Sequence, residues 1–467
     1  MEDESRLHVV LIPWLAMGHL IPFLELAKLL ARKGIQISFL STPKNIKRLP
    51  EIPSDISSLI YLVEISLPQV EGLPEDAEST IDLPINKVTY LKKAFDGLKV
   101  PLTSFLESSV PNWIIYDFAV HWLPPIAKRL GVPCAFFSLV NAAATVWTGP
   151  PSVLLGLEED PRKSLEALLS VPKWVPFPSK VVFRLHEALR LVKSSIENVA
   201  DVSESYRFGA SIQGCDVVFI RSCIEFEPDW IRLLEEDIFK KTVIPVGLLP
   251  PQVKGRSDEK WGEISEWLDK QKQDSVVYVA IGTEAAMCQD EVTELALGLE
   301  LSELSFFWVI RNLPGLSGEE SLTLPDGFED RVRGRGFVSR GWAPQVSILA
   351  HSSVGGFLTH CGWNSIIESL GFGRVLILLP FVAEQGLNAR TLEEKMIGLE
   401  IPRNEHDGSF TREGVAGSLR KVMVDEEGEI FRTNAREMRG IFGNNHLQSR
   451  YIDNFVKYLR DYMHREQ

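Results

Sequence analysis

The chain has 467 residues, 45% of them apolar, and carries a formal net charge of −14. That length exceeds one ordinary core and implies two large domains or three small ones. The acidic balance argues against a nucleic-acid or membrane-surface binder, which needs a basic footprint, but a small anion can still be held by local dipoles.

The start, Met1–Arg6, lacks the basic opening of a secretory signal, and no run of about 18 apolar residues predicts a membrane span. Five scattered cysteines, Cys134, Cys215, Cys223, Cys288 and Cys361, fit reduced thiols and a cytoplasmic location. Along the chain, His8–Ile12 reads as a strand, Pro13–Gly18 as a break, and Ile21–Leu30 as a helix with apolar residues at helical spacing. Ile35–Leu40 is the next strand, and a strand–helix–strand start implies a right-handed crossover in a parallel sheet. Trp113–Tyr116, ending at Asp117, and Cys134–Phe137 are further strands. The segments Leu67–Leu98 and Ser152–Ala188 are polar and bear prolines, and read as loops around a pocket.

The same grammar restarts near residue 275. Ser275–Ile281, Phe306–Ile310, Val354–Leu358 and Val375–Leu379 are strands, and Glu291–Leu301 is a helix. Pro245–Arg256 has linker composition. The expected division is a first parallel-sheet domain over 1–245, a linker over 246–262, a second parallel-sheet domain over 263–445, and a terminal helix over 446–467. Ligands of open α/β sheets bind at the C-terminal edges of the strands, so the chemistry is sought at strand ends.

One strand, Val354–Leu358, runs directly into Thr359-His-Cys-Gly-Trp-Asn-Ser365. A helix starting near Gly362 would leave its first N–H groups open, forming an anion site with Asn364, Ser365 and His360 as added donors. Taken alone, the same residues equally make an ordinary capped helix. Trp342 with Gln345 suits a flat heterocycle, the indole stacking and the amide pairing with the ring edge, although a packing aromatic reads the same way. Glu368 can accept from ribose hydroxyls or be a solvated helix charge, and Glu384–Gln385 can meet sugar hydroxyls or simply begin a helix. In the first half, His19 stands at a loop-to-helix junction and Asp117 at a strand end. A histidine titrating near neutrality can deprotonate a hydroxyl, and a carboxylate can fix its tautomer, but by themselves His19 reads more readily as a helix N-terminal residue with no task and Asp117 as a cap for the next helix. No Gly-x-Gly-x-x-Gly follows the first strand, which argues against a dinucleotide oxidoreductase.

Trp342-Ala-Pro-Gln345, Leu349-Ala-His351, Thr359–Ser365, Glu368, Pro380 and Glu384–Gln385 together resemble the donor-binding signature of plant family 1 UDP-dependent glycosyltransferases. The resemblance implies an α/β GT-B fold, two Rossmann-like doubly wound parallel-sheet domains facing across a cleft. It implies that Trp342 stacks on uracil with Ala343 beside it, that Gln345 contacts the nucleoside, and that Glu368 holds the ribose. His360, Gly362, Asn364, Ser365 and Thr283 would bind the diphosphate, and Trp363, Glu384 and Gln385 the donor sugar, with His351 structural. His19 would be the base and Asp117 its partner, in an inverting, metal-independent transfer. UDP-glucose is then a co-substrate, with no permanently bound cofactor and no metal ligands. The sequence departs from the pattern at Val375, where proline is usual, at Thr283 for serine, and at Glu384 for aspartate.

Pro13–His19, Ser41–Ile46, Leu67–Pro74 and Ala77–Thr80 resemble the branch that adds sugar to the sugars of flavonoid and terpenoid glycosides, steviol glycosides included. The expected partners are therefore a UDP-sugar and a small-molecule glycoside, joined by β-1,2 branching, in a monomeric enzyme. Glucosylation of an aglycone, rhamnosyl transfer from UDP-rhamnose, and a non-catalytic nucleotide-sugar binding protein are the alternatives. Trp14, Met17, the Glu75–Ile85 loop, His121, Phe137 and Asn141 are the expected acceptor pocket.

Overall fold

The computed structural model describes residues 7–196, 200–251, 259–282, 287–310 and 322–465. The first half builds a parallel sheet from β1 (His8–Ile12), β2 (Gln36–Ser41), β3 (Ile60–Glu64), β4 (Trp113–Tyr116), β5 (Cys134–Ser138), β6 (Val217–Ile220) and β7 (Val243–Pro245). Their spatial order is β3-β2-β1-β4-β5-β6-β7. The second half builds another from β8 (Val276–Ala280), β9 (Ser305–Ile310), β10 (Gly336–Arg340), β11 (Val354–Thr359), β12 (Val375–Leu378) and β13 (Gly398–Glu400). Their order is β10-β9-β8-β11-β12-β13. Every pairing in both sheets is parallel.

The inner strands are continuous apolar runs because helices cover both sheet faces. In β1, Val9 and Leu11 point into one core and Val10 and Ile12 into the other. The helices that frame the site are α1 (Met17–Arg32), α2 (Ala142–Thr148), α3 (Leu185–Ile196), α4 (Gln345–Ala350), α5 (Trp363–Gly371), α6 (Gln385–Glu394) and α7 (Asn445–Arg465). Although α7 closes the chain, it packs on the first sheet. Phe455 and Leu459 are fully buried there, and the Trp113 indole donates to the Leu459 carbonyl at 3.1 Å.

Each sheet reverses its winding at one point, β1/β4 in the first and β8/β11 in the second. Ligand crevices form where neighbouring strands lead to opposite faces. Ile12 lies beside Tyr116 and Ala280 beside Thr359, so the four loops leaving these strands start side by side in pairs.

The stretch expected to be loop over Leu67–Leu98 is partly helical. Val88–Asp96 is a helix, because Leu91, Ala94 and Phe95 recur at helical spacing and are buried. No helix among the described residues is long and apolar enough to cross a membrane. Val375 starts β12, buried and paired with Gly356, so a valine fits this position.

A buried ion cluster joins the halves. Arg390 on α6 bonds Glu187 on α3 and, at 3.0 Å, Glu400 at the end of β13, and Glu400 also pairs with Arg184 at 2.8 Å. The side chains of Arg390, Glu187 and Glu400 are only 5%, 10% and 2% exposed. From the same helix α3, Arg190 donates to the Phe381 carbonyl at 3.1 Å, gripping the loop before α6. Removing one member of such a cluster strands its partners in a low-dielectric site. Arg390→Met should cost about 3–5 kcal/mol, read as a lower urea midpoint. Adding Glu187→Gln should recover part of the loss, and an unchanged midpoint in the single variant would show the cluster to be incidental.

Candidate active site

The loop between β1 and α1 carries His19 in the first turn of the helix, and Asp117 follows β4. The His19 Nδ1 donates to Asp117 Oδ2 at 2.8 Å. A carboxylate only accepts, so the hydrogen bond assigns the proton to Nδ1 and makes Nε2 the proton-accepting nitrogen. Asp117 is 2% exposed and is itself fixed by the backbone N–H groups of Trp14 at 2.6 Å and Ala119 at 3.2 Å. The His19 side chain retains 27% exposure, so the pair has a buried end and an open end.

In the second half, the N-cap of α5 is Gly362, and its side-chain-free start leaves the first-turn N–H groups without a side-chain cap. The preceding turn is held in an unusual conformation, with Cys361 at φ 67°. Asn388 on α6 donates to the Cys361 carbonyl at 2.9 Å and so ties this turn to the second donor-side loop. The His360 ring lies between two glycines. A Cβ at either Gly282 or Gly362 would come within 2.5 Å of its Nε2, so both positions require glycine for the ring to sit there.

Trp342, shortly before α4, is 53% exposed. Ala343 is buried. Gln345 begins α4 and donates from Nε2 to Glu368 at 2.7 Å and to Ser365 at 3.1 Å, while the Tyr278 hydroxyl donates to its Oε1 at 3.3 Å. Burial pushes the Glu368 carboxyl up to about 7, against the opposing pull of the Gln345 bond and the Arg221 charge. Gln385 accepts from the Phe381 and Val382 N–H groups at 3.0 Å each, and Glu384 directly precedes α6 beside Ala383, at φ 53°.

The two walls touch. Asn364, in the first turn of α5, donates from Nδ2 to the carbonyl of Gly18 at 3.0 Å. Gly18 adjoins His19. The tip of α5 and the turn bearing the imidazole are therefore joined by one hydrogen bond.

Several sequence expectations need correction. The Trp363 indole does not face the cleft. It is buried between Phe226 and Phe442 and donates to the Arg221 carbonyl at 2.8 Å, so only its backbone remains on the tip of α5. Phe137 is 1% exposed and packs edge-on against Phe23 of α1 at 5.2 Å, on the sheet face that α1 covers. Asn141 is 1% exposed and caps α2, accepting from Ala144 N–H at 2.8 Å. Trp14 is 3% exposed and packs against Phe95 and Phe118. Met17 is half-buried at the start of α1, and Thr283 lies outside the described residues. His121 stands 3.3 Å from Arg207, which pairs with Asp96, and burial lowers its pKa.

Around His19 the structure instead brings residues that sequence reasoning missed. The Phe118 ring lies 5.7 Å from the His19 ring and stacks on Phe208 at 4.8 Å, with the Lys92 ammonium 5.9 Å over its face. The Glu75–Ile85 loop is anchored to the same turn, since Ser79 and Thr80 both donate to the Leu15 carbonyl at 3.0 Å. A cavity of about 350 Å³ opens beside it, lined by Leu67, Val70, Leu73 and Glu78 among others.

Residues 252–444 match the family model described as UDP-glucuronosyl and UDP-glucosyl transferase. UDP-glycosyltransferase 91C1 of Arabidopsis thaliana is 53% identical over 98% of this chain and 97% of its own length. The soyasaponin III rhamnosyltransferase of Glycine max is 42% identical over 98% of this chain and 97% of its own. Among solved structures, TcCGT1 in complex with UDP superposes with a TM-score of 0.77 at 25% identity, covering 98% of this chain and all of that one. With its paired parallel sheets, its signature at the β11–α5 turn and relatives at this identity over nearly its full length, the chain belongs to the UDP-glycosyltransferase family.

Proposed function

We propose that the chain transfers a hexose from a UDP-sugar to a sugar hydroxyl of a small-molecule glycoside, with His19 as the base and Asp117 as its positioning partner. The observation that supports this reading is the contact of Asn364 with Gly18, which joins the tip of α5 to the turn that carries His19. The acceptor oxygen attacks the anomeric carbon as His19 Nε2 takes its proton. The bond from that carbon to the diphosphate breaks, and UDP leaves with the electron pair toward the N-terminus of α5. Fixed N–H dipoles stabilise the charge that grows there. One displacement with base and leaving group on opposite faces inverts the anomeric centre.

In this reading Trp342 stacks on the uracil, Gln345 and Glu368 turn from each other toward nucleoside and ribose, and His360, Gly362, Asn364 and Ser365 take the diphosphate together with Thr283. Glu384 and the Gln385 NH₂ group meet the sugar hydroxyls, with the backbone of Trp363. The glucose donor rests on Gln385. The glycoside acceptor is supported by a relative named for a saponin, which is itself a glycoside, and the same name keeps UDP-rhamnose as the competing donor. In this reading the Lys92–Glu204 pair and His121, near the Phe118 and Phe208 rings, are the polar groups that sugar hydroxyls of the acceptor would meet. A β-1,2 linkage and a cytoplasmic monomer complete the proposal, the five free cysteines supporting a reducing compartment.

His19→Ala should lower kcat by about 10²–10⁴-fold, the usual worth of a general base, and leave UDP affinity unchanged by calorimetry. Asp117→Asn should also lower kcat strongly through misorientation of the ring. Retained turnover in His19→Ala would assign the base elsewhere. A screen of UDP-glucose and UDP-rhamnose against aglycones and their monoglucosides, with linkage read by NMR, should show preference for monoglucosides and glucose. Preference for aglycones would refute the glycoside acceptor.

A further inference from the structure

Arg221 follows β6 directly, in the first half of the chain, yet its side chain reaches the donor-side helix of the second half. It is 2% exposed. Its Nε donates to the Leu248 carbonyl at 2.8 Å, one terminal nitrogen to the Leu249 carbonyl at 3.3 Å, and the other to the Asn364 Oδ1. Its own carbonyl accepts from the Trp363 indole. It therefore holds the first two residues of α5 by both its backbone and its side chain.

We propose that Arg221 is a positioning residue for the transfer, fixing the Asn364 amide between the diphosphate-binding helix tip and the turn that carries His19, and supplying the cation that the bound diphosphate faces. This rests on the reading of His19 and the α5 tip given above.

Two physical arguments carry it. The first is the orientation of the amide. A guanidinium only donates, so it forces the Asn364 oxygen toward itself and the NH₂ group toward Gly18. The NH₂ has two hydrogens. One is spent on the Gly18 carbonyl, and the second is available to an oxygen of the diphosphate. Without Arg221 the amide has no reason to keep this orientation.

The second argument is the sign of the charge. A buried cation whose hydrogen-bond partners are all neutral oxygens is costly to the fold. At a helix N-terminus it is also the wrong sign, since that end is already positive. Burial lowers the Arg221 pKa to about 10, which still leaves it charged at neutral pH. The nearby carboxylates offset it only in part. Glu25 on α1 is paired with Lys28 at 2.7 Å, and Glu368 titrates near 7. A positive helix end with a guanidinium behind it is favourable once a dianion sits in front of it. In a chain of net charge −14, this is where an anion is drawn.

Arg221 also acts on Glu368, which Gln345, Arg221 and Glu25 face from three separate elements. The Arg221 charge lowers the Glu368 pKa and the Glu25 charge raises it. A carboxylate accepts from a ribose hydroxyl only when ionised, so UDP affinity should fall as pH drops through about 7. Loss of the Arg221 charge moves that midpoint upward.

The test is calorimetric titration of UDP between pH 6 and 9, with kcat, for Arg221→Met and Arg221→Lys. Arg221→Met should bind UDP about tenfold more weakly at neutral pH, regain part of the affinity at pH 9, and lose kcat. Arg221→Lys keeps the charge but not the planar fork, and should hold UDP within about threefold while kcat still falls. A folded Arg221→Met with wild-type UDP affinity and pH profile would overturn the proposal. If Arg221→Met does not fold, Arg221→Lys decides, and wild-type kcat in that variant refutes the orienting role. Retained turnover in His19→Ala would instead refute the assignment of the base, leaving the UDP titrations of the Arg221 variants to stand by themselves.

Discussion

A single amide joins the two halves at the place where the transfer is proposed to occur. Asn364 belongs to the helix tip of the second half, and its Nδ2 bonds the Gly18 carbonyl of the first. Glycosyl transfer needs the attacking hydroxyl, the anomeric carbon and the departing phosphate in line, and a misplacement of about 1 Å can cost 10²-fold. The two walls come from separate sheets and could slide against each other. The Asn364 bond, the Arg221 contacts behind it and the ion cluster at Arg390 hold them in one register. Each half has a switch point of its own, and the Asn364–Gly18 bond brings loops leaving the two together.

That arrangement separates the labour. The second half presents main-chain dipoles, an exposed indole and fixed amides, which suit a part of the substrate that is always the same. The first half presents Phe118, on the loop after β4, beside the imidazole, with Phe208 stacked on its ring and Lys92 over its face from two neighbouring helices. Strained residues mark the donor side, Cys361 and Ala383 both adopting left-handed backbone next to the residues proposed to grip diphosphate and sugar. Asn388 links the two turns, so a change at one is felt at the other.

The turn after β11 stood out because a strand running into glycine and hydrogen-bond donors is a distinctive pattern, but the pattern alone reads equally as a capped helix, and its reading as a donor site came from the resemblance carried by one short stretch of chain. Asp117 stood out as a strand-end residue and His19 as a loop-to-helix residue, but their roles came from the resemblance. Most inner strands announce themselves as apolar runs, whereas the edge strands Gly336–Arg340 and Gly398–Glu400 do not, being half-exposed or very short. Phe137 and Asn141 were misplaced for a different reason. Alternation puts Phe136 and Phe137 on opposite sheet faces, and only the packing of α1 tells which face is covered. Arg221 was invisible. An arginine after an apolar strand reads as a solvated end, and its partner Asn364 is 143 residues away. The Trp363 indole belongs to the signature by sequence but is spent on packing between the halves.

The most direct measurement is a crystal structure of the chain with UDP-2-fluoro-glucose and a monoglucoside acceptor. The β-phosphate should rest on the first-turn N–H groups of α5, with the acceptor hydroxyl within hydrogen-bond distance of His19 Nε2 and in line with the anomeric carbon. An acceptor bound in a separate cavity, with His19 too far away to reach its hydroxyl, would contradict the shared site.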